Sequence, residues 1–213
     1  MLDVTWEWIA IDRAALDVAN TVAVSGGVEY DLLEAAGEYG RWAEAAARSP
    51  ELRADEAAAI AAARPRLLAL RAHIRTVLSA TTAGELVPER AIAALNRASR
   101  AAPHWPEVGA DGSIVELAHG DAVDRLLAVY ARAAMQIAAG GSANIRVCGA
   151  PSCGMFYRPR RRQQRWCSEP CGNRARFARH YELRRGMAEL HDRAPSRGST
   201  SQRTVGQTAS RRR

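Results

Sequence analysis

CGAPSCGMFYRPRRRQQRWCSEPCGNR, residues 148–174, holds every cysteine of the chain. Cys148 and Cys153 form one close pair, Cys167 and Cys171 a second, and paired spacing of this kind is what tetrahedral zinc with four thiolates requires. Gly149, Pro151 and Gly154 suit a tight knuckle. Met155, Phe156 and Tyr157 read as a strand that enters an arginine-rich turn and returns through Trp166. Ser168, Glu169 and Pro170 read as cap, acidic first turn and helix-compatible proline, which places Cys171 at a helix N-terminus where the backbone dipole favours thiolate. The expectation is a small treble-clef-like module of knuckle, hairpin and helix over residues 145–190, holding one structural Zn2+ on Cys148, Cys153, Cys167 and Cys171. Four thiolates leave no open coordination position, so no catalysis is expected at the metal. Two other chemistries fit four thiols: a redox switch that loses zinc on oxidation, and structural disulfides. His180 and His191 are read as lying outside the metal shell.

Working outward, residues 146–185 are dense in arginine and contain only two acids, Glu169 and Glu182. The net charge of the chain is +7 and it has no lysine, so each basic contact is a planar guanidinium able to bind phosphate or guanine in bidentate fashion. So dense a cluster repels itself unless a polyanion offsets it. The candidate nucleic-acid-binding residues are Arg160, Arg161, Arg162 and Arg165 on the turn, and Asn173, Arg174, Arg176, Arg179, His180 and Arg184 on the helix. The plainer alternative is a solvated face that compensates the net −2 of a zinc tetrathiolate. Phe177 and Tyr181 are expected to pack on Phe156 or Trp166.

The remainder reads as mainly α. Nearly half the residues are hydrophobic, at 47%, and helix formers dominate, so the chain can bury a core. Ala14 to Val24 shows helical spacing closed by Gly26-Gly27, and Asp31 followed by Glu34 reads as a capping box opening a helix through Trp42 to about Arg48. Asp55 to Ala83 carries an apolar stripe that Pro65 must kink or split. Pro88 opens another helix, which the run Pro103-His104-Trp105-Pro106 ends. Asp111-Gly112 between short apolar segments signals a β-hairpin, and Asp121 caps an amphipathic helix carrying Leu126, Leu127, Tyr130 and Ile137. Residues 1–141 are thus expected to form a helical domain with a short hairpin. The polar tail, 191–213, has too few apolar residues to order itself. Asp17, Asn20 and Thr21 are polar groups on an otherwise apolar helix. They are candidates for lining a ligand pocket, beside the plainer reading of ordinary hydrogen bonds between neighbouring helices. Trp6, Trp8 and Trp42 read either as pocket walls or as core.

The opening MLDVTWEWIAIDRAAL is broken by acids and no apolar run is long enough to span a membrane, so a cytoplasmic, nucleoid-associated protein is expected. No Ser-His-Asp order, phosphate loop or open metal site is visible, which argues against an enzyme.

Cys148-x4-Cys153, Trp166-Cys167-Ser168 and Cys171-Gly172-Asn173-Arg174 together resemble the CGNR zinc finger family. The segment from Ala15 to Thr21 and the block Asp31-Leu32-Leu33 resemble the ABATE domain that precedes such a finger. The resemblance implies a stress-related transcription regulator with the cysteines on zinc, the finger on double-stranded DNA, and the ABATE domain sensing a small-molecule effector. The spacer from Arg158 to Gln164 departs from the family's usual run of Asp, Ser and Asn among arginines. The alternative function is a zinc-stabilised RNA-binding or protein-interaction adaptor. Oligomeric state is left open; a palindromic site would imply a homodimer.

Overall fold

The computed structural model describes residues 14–25, 28–35, 37–46, 57–140 and 145–192. Among these, the helices are α1 (Ala14–Ala19), α2 (Glu38–Ala46), α3 (Ala57–Ala62), α4 (Arg64–Ala83), α5 (Glu89–Ala101), α6 (Ala122–Ala139) and α7 (Glu169–Asp192). Six strands form three antiparallel pairs: β1 (Val22–Ser25) with β2 (Val28–Asp31), β3 (His104–Val108) with β4 (Ile114–Ala118), and β5 (Arg146–Val147) with β6 (Phe156–Tyr157). The fold is mainly α and carries a four-cysteine module toward its C-terminal end. The described residues divide into two units, one ending at Ala175 and the other beginning at Arg176.

Pro65 does split its helical stripe. Helix α3 stops at Ala62 and α4 restarts with the proline in its first turn, where a missing N–H costs nothing. Gly84 then ends α4 in the left-handed conformation at φ 71°, its N–H returning to the last turn. Asp121 caps α6 by accepting the Asp124 N–H at 2.7 Å, a contact worth about 1 kcal/mol. Asp111 and Gly112 (φ 80°) turn the β3–β4 hairpin as expected. Helices α4, α5 and α6 pack on one another, and α1 lies on α4 and α6. Trp42 is fully buried, with the Tyr39 and Tyr130 rings 5.5 and 6.1 Å from its own. Ile60, Leu67, Ile74 and Leu78 complete the centre of this core.

Two expectations at the N-terminal end are corrected. The helix from Ala14 stops at Ala19 rather than Val24, and Val22 to Ser25 turns into a strand paired with Val28 to Asp31. Val22 and Val24 before Gly26-Gly27, and Val28 and Tyr30 after it, alternate as β-branched or aromatic residues, which favours a pleated ribbon over a helix. Asp31 consequently caps no helix. It ends β2, and its Oδ1 accepts the Leu33 N–H at 3.0 Å in an Asx-type turn, while α2 begins only at Glu38. Trp6, Trp8, Gly26-Gly27 and the tail beyond Asp192 lie outside the described residues.

Candidate metal centre and basic surface

Residues Arg146 to Tyr157 fold as a minimal hairpin, β5 and β6, with the first cysteine pair in the connection between them. This differs from the expected return through Trp166, which belongs to no strand. The Cys148 N–H donates to the Met155 carbonyl at 2.9 Å and closes the knuckle. The left-handed position falls on Ser152 (φ 56°) rather than on a glycine. Gly154 serves a different need, because a Cβ there would come within 3.3 Å of Val24 in β1. Its missing side chain lets the knuckle approach that strand. The second pair comes from the start of α7: Ser168 caps the helix, its Oγ 3.4 Å from the Cys171 N–H, and Cys171 sits in the first turn.

All four ligand sulfurs lie within 4.8 Å of one another. Sγ–Sγ distances are 3.8 Å for Cys153–Cys167, 3.5 Å for Cys167–Cys171 and 3.7 Å for Cys171–Cys153. A regular tetrahedron with Zn–S of about 2.3 Å has edges of about 3.8 Å. The sulfurs are too far apart for disulfides, whose S–S length is about 2.05 Å, and all four cysteines are free. The donor set therefore fits one closed zinc site. The Cys167 N–H points at the Cys148 sulfur at 3.3 Å, and the Arg174 guanidinium lies 3.2 Å from the Cys171 sulfur. Both place positive charge against a thiolate, the usual outer support of a tetrathiolate. Burial opposes ionisation at Cys171, but the Ser168 hydroxyl and the neighbouring thiols outweigh it and hold its pKa below the ordinary thiol value. Burial, followed by hydrogen bonding with the other thiols, pushes Cys153 up to about 11, and Cys167 is raised too. Zinc binding takes all four thiols as thiolates.

Strand β6 belongs to two cores at once. Successive side chains of a strand point to opposite faces: Phe156, 4% exposed, enters the helical core, and Tyr157 packs with Cys148, Cys153 and Cys171. Asn20 holds the same residue by its backbone, donating Nδ2–H to the Phe156 carbonyl at 2.8 Å and accepting the Phe156 N–H at 2.9 Å. The Arg75 guanidinium lies over the Phe156 ring at 5.8 Å and donates to the Ala19 carbonyl at 2.8 Å. Thr21 is bonded otherwise, its hydroxyl donating to the Val18 carbonyl at 2.7 Å and accepting from Arg71 at 2.9 Å. Of the three candidate pocket residues, Asp17 and Asn20 line a cleft of about 900 Å³ whose other walls include Arg158, Arg160 and Glu169; Thr21 does not.

The side chains of Arg160, Arg161, Arg162, Arg165, Asn173, Arg174, Arg176, Arg179, His180 and Arg184 are all exposed. The arginine turn is braced from inside by Arg146, Tyr157 and Gln164, a role that the sequence does not announce. Arg146 donates to the carbonyls of Gln164 and Arg162, each at 2.7 Å, and the Tyr157 hydroxyl donates to the Gln164 carbonyl at 2.8 Å. Gln164 accepts the Arg160 N–H at 2.8 Å and donates to the Trp166 carbonyl at 2.9 Å. No local pattern singles these residues out, since their partners are main-chain groups brought near by the metal knuckle. Phe177 and Tyr181 depart from expectation: Phe156 is taken by the helical core, and the two rings stand 75% and 70% exposed.

Residues 12–141 match the family model ABATE, described as "Putative stress-induced transcription regulator", and residues 144–184 match that of the CGNR zinc finger. No curated protein matches the chain. Sulfur geometry and the zinc-finger match agree on one structural zinc. No helix among the described residues is long and apolar enough to cross a membrane.

Proposed function

Because the chain belongs to the ABATE family and carries a CGNR zinc finger C-terminal to that region, we propose that it is a zinc-dependent DNA-binding transcription regulator. One observation carries this reading. The arginine turn beside the four-cysteine site and helix α7 expose, each by itself, polar and mostly cationic side chains, ten in all, while the segment 146–185 contains two acids. Zinc supplies folding free energy when bound; in this reading the arginines supply phosphate contacts and Asn173 contacts base edges. We read the protein as a binding protein rather than an enzyme, acting in the cytoplasm on the nucleoid. The cleft beside Asp17 and Asn20 is the proposed effector site, since a molecule lodged there would touch both α1 and the arginine turn.

The test is binding of the zinc-loaded protein to random duplex DNA, single-stranded DNA and RNA at two salt concentrations, with and without a chelator. Tight duplex binding that weakens steeply with salt and is lost on chelation is the expected result. Absence of duplex binding overturns the reading, and a preference for RNA moves the adaptor function into its place.

A further inference from the structure

The chain has two phenylalanines; one fills the helical core and the other, Phe177, stands in solvent. A single exposed apolar side chain is ordinary. Here a second ring, Tyr181, follows at four residues, and side chains four apart lie one above the other on a helix. Both are at least 70% exposed. Successive helical residues turn by about 100°, so Arg184 and Arg185 continue the same face in the next turn and His180 borders it. All five side chains are exposed. An apolar pair without a protein core beneath it, set among cations, is not accounted for by phosphate binding, which needs only the arginines.

We propose that Phe177 and Tyr181 are the base-contacting centre of this face, meeting base edges or ring faces in a duplex groove while Arg184 and Arg185 hold the flanking phosphates. The proposal rests on the DNA-binding reading above. It commits to nucleic acid because the surrounding charge is cationic, with Glu182 the one acid among residues 176–185. Apolar contact with thymine methyls and wedging between base steps, which partly unstacks them, are the two ways a ring contributes there, and neither displaces counterions.

That last property gives the test. Affinity for a duplex selected from a random-sequence pool by the zinc-loaded parent protein is measured across a salt series for the parent, for Phe177→Ala with Tyr181→Ala, and for Arg184→Ala, with helix content followed by circular dichroism. The double variant should lose about tenfold or more in affinity with its salt slope unchanged. Arg184→Ala should instead make the slope shallower by about 0.9. Parent-like affinity in a folded double variant overturns this inference and leaves the regulator reading standing. So does sedimentation showing that the pair holds two copies together and that DNA affinity follows the dimer. Failure of the parent to bind any duplex overturns both readings.

Discussion

Arg71 is 6% exposed and donates to Thr21 and to both carboxylate oxygens of Asp31, so a charge on α4 is matched to the end of β2. Burial alone would raise the Asp31 pKa; hydrogen bonding and attraction from Arg71, the Leu33 N–H and the charge of Arg64 outweigh it and hold the carboxyl below its ordinary value. A carboxyl depressed in the folded state adds stability that is complete above its unfolded pKa, near 4, and disappears as pH falls through the folded value. Asp31→Asn leaves Arg71 buried without its counter-charge and should cost about 2–3 kcal/mol at pH 7. Urea unfolding at pH 7 and pH 3 checks this: the variant's deficit should shrink at the lower pH, and an equal deficit at both would refute the linkage. The four cysteines were legible at this scale because ligand spacing is a local pattern. Asn20 was noticed as a misplaced polar residue, but its partner is 136 residues away, and no local rule pairs them.

Elements bounded by strong punctuation were readable. Pro65, Pro88, Asp121 and the Asp111-Gly112 turn each act within a few residues, and the chain obeys them. The ribbon of β1 and β2 was missed because Ala14–Ala19 is helical and the apolar pattern runs on past it. The change of period from 3.6 to 2 at Val22 was the available signal. The arginine turn is an element of another kind, with no ladder of its own and shaped by Gln164. Replacing Gln164 by Ala removes both of its side-chain bonds, to the Arg160 N–H and the Trp166 carbonyl. Such solvent-accessible contacts contribute about 1 kcal/mol each. The variant should keep its zinc and most of its stability, yet bind duplex DNA several-fold more weakly because Arg160 to Arg162 are no longer held in one arrangement. Unchanged affinity would show that the turn's shape is irrelevant to binding.

At the scale of the whole molecule, β6 makes the metal centre part of the helical domain's own stability, since Phe156 and Ile145 lie in the helical core. The segmentation of the sequence into a helical part and a finger could not show this, because composition marks linkers but not which core a side chain enters. Cys171→Ser, or chelation, should therefore do more than unfold the finger. It should release one zinc per chain and lower the melting temperature of the helical part by about 6–12 °C, the shift that about 3 kcal/mol of lost contacts gives in a chain of this size. Metal analysis with thermal unfolding followed at 222 nm checks both. An unaltered helical transition would show that the two parts are stable independently, and retained zinc would refute the ligand assignment.

The double grip on Phe156, its ring in the helical core and its peptide groups on Asn20, also bears on portability. Many small zinc modules are interchangeable beads, sealed on all sides and indifferent to what precedes them. This finger, cut out and attached to another protein, would carry an exposed aromatic ring and an orphaned N–H and carbonyl where Asn20 had been. A successful graft must bring along α1 together with Asn20, or exchange Phe156 for a polar residue content to face water.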